Sequence, residues 1–412
     1  MDLLDKLRAV GARAAPFRDA VCRPFDTVFD EVVGPCEVIF NGRPVLMFGS
    51  NNYFGLSFHP EVQQAARDAV GRFGSGSTGS RVANGTLRIH EELEADFAAA
   101  FAKRHGMIFS TGFQANLSLV AGLCGADDTI LLDAACHASI YDGARLSGAS
   151  VLAFRHNSAA DLARKLDRLP RGETNRLVIV EGLYSIHGDV APLADLLAAC
   201  RAGGAYLLVD EAHSFGVYGD RGLGCADAQG VLEQVDFVVG TFSKALAAVG
   251  GFAVSDHPEL RALHFAARPY VFTASPSPAT VAGVKAALAV LQRDATGAAR
   301  HRLWDNVRRM RTGLQRLGYA LGPVESPIVP ILIGEEATTV GMWQALLEAG
   351  LYVNIVLPPG CPKGQCLLRT SYSSAHTPAQ IDAALAILEA VGRQAGVLTE
   401  GGSGVAQEAA AH

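Results

Sequence analysis

Seven short apolar runs recur between residues 105 and 255, separated by small polar or glycine turns and helical patterns, and this alternation limits the fold more than any other feature. The runs are MIFS (107–110), TILLD (129–133), SVLAF (150–154), RLVIV (176–180), AYLLV (205–209), FVVG (237–240) and GFAVS (251–255). Strands this continuously apolar need cover on both faces, so the pattern predicts an α/β fold around a mostly parallel sheet. Between the fourth and fifth runs, PLADLLAACRAGG sets Leu193, Leu196, Leu197 and Cys200 at i, i+3, i+4 and i+7 and stops at Gly203-Gly204, which predicts a helix. Only ten residues separate FVVG from GFAVS. That gap is too short for a helical crossover, so GFAVS is expected to run antiparallel to its neighbours.

The expected division is an N-terminal segment (1–48), a large domain (49–283), a smaller α+β domain (284–396) and a disordered tail (397–412). The small domain is introduced by the helix PATVAGVKAALAVLQ and takes YALGPVESPIVPILIG and GLYVNIVLPP as strand candidates, while the tail has lost both apolar period and bulky residues. The formal charge of -6 comes from 35 Lys+Arg against 41 Asp+Glu without long blocks of either sign, so no nucleic-acid partner is expected. The start, MDLLDKLRAV, lacks the basic and apolar regions of a signal peptide, which points to the cytoplasm. No uncharged apolar run reaches the roughly 18 residues of a membrane span, although peripheral membrane contact stays open. Eight cysteines are scattered at 22, 36, 124, 136, 200, 225, 361 and 366, with no CxxC pair and no Cys/His cluster at zinc spacing. Neither disulfides nor a metal are expected.

Chemistry gathers around GTFSKALAAVGGF, which carries Lys244 just past a strand. Asp210 and Glu211 follow AYLLV directly, so Asp210 falls at the carboxyl end of a central strand, where open α/β sheets form their ligand crevice. A carboxylate there costs desolvation energy unless a cation meets it. With His213 three residues on and Lys244 ending a further strand, the set suits pyridoxal 5'-phosphate. That cofactor needs an amine for its Schiff base, an acid to keep its ring nitrogen protonated, and anchors for a dianionic phosphate. Thr241 and Ser243 offer hydroxyls, and STGFQANLSL opens a helix whose first N–H groups, at Gly112 and Phe113, face the same phosphate.

The ordered series STGFQAN, DAACHASIYDG, EGLYSIHGD, DEAHSFGVYG and GTFSKALAAVGG resembles the α-oxoamine synthases, as do GSGSTGSRVANGTLRIHEELE (74–94) and PKGQCLLRTSYSSAHT (362–377). These are fold type I pyridoxal-phosphate enzymes that join an amino acid to an acyl thioester with loss of carbon dioxide. The likeness covers roughly residues 30 to 395. It implies an aspartate aminotransferase-like fold, with a mixed seven-stranded sheet in the large domain and a homodimer whose sites form at the subunit interface. It makes Lys244 the Schiff-base lysine and acid/base at the substrate Cα, Asp210 the partner of the ring nitrogen, and His213 a contact of the ring oxygen. His137 is expected to stack on the ring and touch the substrate carboxylate. Ser185, Thr241 and Ser243 would hold ring substituents and phosphate, Thr273 would reach the neighbouring subunit's phosphate, and Asn52 and Arg369 would bind substrate.

Relatives using glycine or alanine, such as 5-aminolevulinate synthase, 8-amino-7-oxononanoate synthase and 2-amino-3-ketobutyrate ligase, often read Thr-Leu-Gly-Lys before the lysine. Here the reading is Thr-Phe-Ser-Lys. Together with HASIYDG, FRHNS (154–158) and RPYVFTAS (268–275), it resembles the members that condense L-serine with a long-chain acyl thioester, carried on coenzyme A or an acyl carrier protein, to give 3-ketodihydrosphingosine. Two departures stand out: Phe113 where tyrosine is common, and Leu357 ahead of Pro358-Pro359 where an arginine is expected to help hold the substrate carboxylate. An aminotransferase or lyase of the same fold type remains an alternative. A non-catalytic partner subunit is another, although such subunits lack the lysine.

Overall fold

The computed structural model describes residues 2–18, 23–170 and 175–398. The chain divides into two compact units, Asn51–Arg302 and a discontinuous one made of Met1–Ser50 with Leu303–His412.

The first unit is built on the seven predicted strands: β1 (His105–Phe109), β2 (Thr129–Asp133), β3 (Ser150–Phe154), β4 (Arg176–Glu181), β5 (Tyr206–Asp210), β6 (Phe237–Thr241) and β7 (Gly251–Ser255). Their order across the sheet is β1-β7-β6-β5-β4-β2-β3. As the short loop requires, β7 pairs antiparallel with both β1 and β6, and the remaining pairs are parallel. Every residue of β4, β6 and β7 is buried. One face packs Met107, Ile130, Leu132, Ile179, Leu208 and Val239 with the helices Gly112–Leu123 and Ala138–Ser147. The other carries an aromatic stack in which Phe97 lies 4.2 Å from Phe252 and 5.5 Å from Phe242, nearly parallel to both. Each such side chain contributes about 1.5–3 kcal/mol by leaving water, so the sheet is held rigidly from both sides. The predicted helix at PLADLLAACRA spans Leu193–Ala202 and ends at Gly203-Gly204, where Gly204 takes a positive φ of 64°.

The helix Pro278–Arg293, capped by Ser277, packs on Pro60–Phe73 within this same unit. The expected boundary at 283/284 therefore falls inside one continuous helix, whereas the compact units part at 302/303.

In the other unit, the strands Glu31–Gly34, Glu37–Phe40 and Arg43–Met47 form an antiparallel meander, and Leu351–Tyr352 joins its edge in parallel. A separate sheet orders β8 (Ile328–Gly334), β9 (Asn354–Val356) and β10 (Cys366–Ser371) as β8-β10-β9, all antiparallel. His376 fastens the two ends of the chain: its ring stacks on Phe48 at 4.1 Å and its Nε2 lies 3.1 Å from the Met47 carbonyl. Burial holds its pKa down at about 4, so it is a neutral packing group. Of the segment expected to be a disordered tail, Val397 and Leu398 are described, with Leu398 buried against Gly392. Residues 399–412 lie outside the described residues.

Candidate active site

A cavity of about 460 Å³ opens where β4, β5 and β6 end, on the carboxyl side of the parallel strands. Asp210 is the last residue of β5, in register with Glu181, the last of β4. Both carboxylates are buried. Asp210 Oδ1 accepts the Ala212 N–H at 2.9 Å, and Oδ2 accepts Asn116 Nδ2 at 2.7 Å. Glu181 takes a backbone N–H from His137 at 2.5 Å. Burial, then the neighbouring charge of Asp210, pushes the Glu181 pKa well above the carboxylate range. Glu211 is turned away and accepts N–H groups from Cys225 and Ala226 at 2.9 and 2.7 Å, a structural task for the second acid of the pair.

Lys244 sits half-buried in the turn between β6 and β7 and lines the cavity. The turn closes tightly: Ala247 N–H donates to the Lys244 carbonyl at 3.0 Å, with Ala247 at a φ of 52°, a conformation that costs a non-glycine residue energy. Gly250 is required there, because a Cβ would fall 2.2 Å from the Phe242 ring. Thr241 Oγ1 and Ser243 Oγ lie 2.8 Å apart at the same end. Gly112 begins its helix against them, so close that a Cβ would meet Thr241 Oγ1 at 2.7 Å. Thr111 caps the helix through the Gln114 N–H, and the first N–H groups, which lack intrahelical acceptors, open on the cavity floor at Gly112 and Phe113.

His137 caps the next helix, with its ring edge-on to Phe113 at 6.3 Å. Burial is the largest influence on its pKa and lowers it, Asp210 pulls the other way, and Lys244 lowers it again. The net direction is down, toward a neutral imidazole. His213 is buried, its Nδ1 2.9 Å from the Tyr53 hydroxyl.

The structure therefore gathers Gly112, Phe113, His137, Ser185, Asp210, His213, Thr241, Ser243 and Lys244 around one cavity. It does not bring Asn52 to the cavity wall; the neighbouring Asn51 lines it, while Asn52 Nδ2 donates to Ser57 Oγ at 2.7 Å. Thr273 also lies off the wall, its hydroxyl accepting Gln114 Nε2 at 3.1 Å. Arg369 belongs to the other unit, where it is buried on β10 and donates to Ser371 Oγ at 2.9 Å. Sequence reasoning passed over Asn116, Ser139 and Glu181. Each stands inside a quoted motif, and the available signal was a polar residue within a stretch otherwise destined for burial.

The pattern of the aminotransferase class I and II family matches residues 43–388. The chain belongs to that family. Within it the chain stands with the α-oxoamine synthases: it is 46% identical to the serine palmitoyltransferase of Caulobacter vibrioides over 398 residues, covering 97% of this chain and 98% of the relative. The 8-amino-7-oxononanoate synthase of Trichlorobacter lovleyi is 38% identical over 362 residues, covering 88% and 92%. Among solved structures, a serine palmitoyltransferase (SPT) with pyridoxal phosphate as internal aldimine superposes with a TM-score of 0.93 at 43% identity, over 97% of this chain and 100% of that one. The fold type I architecture of this aminotransferase family is the one the resemblance implied, and its mostly parallel sheet is the one the seven-run pattern predicted.

Proposed function

We propose that this family member is a C-acyltransferase that uses pyridoxal 5'-phosphate to condense L-serine with a long-chain acyl thioester, giving 3-ketodihydrosphingosine. The observation that carries the reading is Lys244 and Asp210 facing one cavity at the sheet's carboxyl edge, in a chain with full-length likeness to serine palmitoyltransferases.

The residues present fit the cofactor. A buried carboxylate at Asp210, an amine at Lys244, two neighbouring hydroxyls and a helix start pressed close by a required glycine make up the donor set that a cationic ring nitrogen, an aldehyde carbon and a phosphate need. Lys244 would bind it covalently through Nζ, Asp210 would hold a proton on the ring nitrogen, His213 would meet the ring oxygen, and Ser185 would contact a ring substituent. Thr241, Ser243 and the N–H groups of Gly112 and Phe113 would hold the phosphate. When bound, pyridoxal phosphate supplies an electron sink for negative charge at the amino-acid Cα.

Lys244 Nζ would take the serine Cα proton. In the reaction Cα bonds to the acyl carbon, the thiol leaves, the bond from Cα to the carboxylate breaks with release of carbon dioxide, and a proton returns to Cα. His137, exposed to the cavity, and Arg369 are assigned to the serine carboxylate. A guanidinium fork suits that anion. The reading includes a homodimer in which Thr273 serves the neighbouring subunit's phosphate, a cytoplasmic enzyme, and a donor thioester on coenzyme A or a carrier protein. No helix among the described residues is long and apolar enough to cross a membrane.

The test is to supply L-serine, L-alanine and glycine separately with palmitoyl thioesters of both carriers and to identify products by mass. The serine product is expected to dominate. Preference for glycine or alanine would move the chain to another α-oxoamine synthase activity, and a keto acid formed without thioester would mark an aminotransferase.

A further inference from the structure

Two side chains, Asn116 and Ser139, join His137 to Asp210 in an unbroken row. Asn116 is 3% exposed and Ser139 fully buried. Asn116 Nδ2 donates to Asp210 Oδ2 at 2.7 Å and to Ser139 Oγ at 3.0 Å, and Ser139 Oγ lies 2.8 Å from His137 Nδ1. Asn116 Oδ1 is buried without a hydrogen-bond partner among the described residues. The amide cannot be turned round, because Oδ1 would then face the Asp210 carboxylate, acceptor against acceptor.

The inventory of donors sets a direction along the row. An amide nitrogen only donates, so Ser139 Oγ receives a hydrogen from Asn116 and directs its own elsewhere; the neighbour left to accept it is His137 Nδ1. The Ser139 backbone N–H points at the same nitrogen from 3.2 Å. A nitrogen that accepts two hydrogen bonds carries no proton, and a neutral imidazole then keeps its proton on Nε2.

We infer that Asn116 and Ser139 are positioning residues which, anchored on Asp210, hold His137 as its Nε2–H tautomer. The use of this arrangement rests on the proposed reaction, in which His137 meets a carboxylate: Nε2–H is a donor to that anion, whereas the other tautomer presents a lone pair to it. The relay itself exists independently of the substrate.

The experiment compares the parent, Ser139→Ala and Asn116→Ala, each labelled with nitrogen-15 histidine and loaded with pyridoxal phosphate, by imidazole NMR. The His137 signals are those absent from His137→Gln. The parent shows Nε2–H alone. In Asn116→Ala the Ser139 hydroxyl becomes free to accept, and in Ser139→Ala only the longer backbone bond remains, so both variants show the Nδ1–H form as well. KM for serine rises up to about tenfold, the scale of one hydrogen bond, with a smaller change in kcat. A parent-like tautomer in either variant overturns the relay. Because the tautomer is read without substrate, a shifted tautomer in a protein that does not condense serine would sustain the relay while removing the proposed reaction.

Discussion

In the proposed reaction Lys244 and Asp210 divide the work at the cavity, and each can be removed without touching the other. Lys244→Ala is expected to purify without the visible absorbance of the parent and to show no turnover, and borohydride reduction of the parent should leave pyridoxyl mass on the peptide containing Lys244. Asp210→Asn keeps the shape and loses the charge that Asn116 and the Ala212 N–H orient. It should retain or weaken cofactor binding while kcat falls by about a hundredfold or more, the scale of losing one preorganised electrostatic group. A near-normal kcat would assign Asp210 to structure. Leu357 cannot supply a second cation, so Arg369 should carry more of the serine carboxylate than it would beside an arginine. Arg369→Ala should weaken serine binding by about 2–5 kcal/mol, as for loss of a desolvated charge-assisted contact, and Leu357→Arg should be tolerated or bind serine more tightly. Spectral titration with serine measures both, and parent-like binding by Arg369→Ala would show the carboxylate site to be elsewhere.

At the level of elements, FRHNS becomes intelligible only in three dimensions. His156 follows β3 and lies between two carboxylates, 2.8 Å from Asp133 at the end of β2 and 2.6 Å from Asp189. Asn157 adds its backbone N–H to Asp133 at 2.7 Å and its amide to Asp189 at 2.9 Å. Asp189 closes the loop after β4, accepting the Tyr184 N–H on its carbonyl at 2.9 Å, and Ser185 stands on that loop facing the cavity. Burial opposes the charge on His156, but the two aspartates outweigh it and push the pKa up to about 10. A pKa raised above the unfolded value of about 6.5 gives stability that is complete below that value and is lost as pH rises toward 10. The thermal unfolding temperature of the parent should therefore fall as pH rises across this window, and His156→Ala should lose that slope. The variant leaves Asp133 buried without its cation, at a cost of about 3 kcal/mol. Equal slopes in parent and variant would remove the clamp from the account.

Across the whole molecule, legibility followed sequence distance. The seven sheet strands could be read because each is a local apolar run, and the reversed β7 because its loop is short. The N-terminal strands read as a separate segment in the sequence because what ties them into their unit is remote: Met47 pairs with Tyr352, and the Met47 carbonyl meets His376. Neither partner leaves a periodic trace. The cavity was legible where chemistry names the residue, as at Lys244 and Asp210. It was not legible at Asn116 and Ser139, whose importance lies in donor direction and only appears once three elements converge. The claim that joins these scales is that this cavity exchanges a carboxylate for an acyl group on the same serine carbon. The most direct measurement follows isotope-labelled L-serine through reaction with a palmitoyl thioester. Label in the carboxyl carbon should leave entirely as carbon dioxide, and label at Cα should appear in 3-ketodihydrosphingosine in equal amount. Carboxyl label retained in a product, or carbon dioxide released without the Cα-labelled ketone, would contradict it.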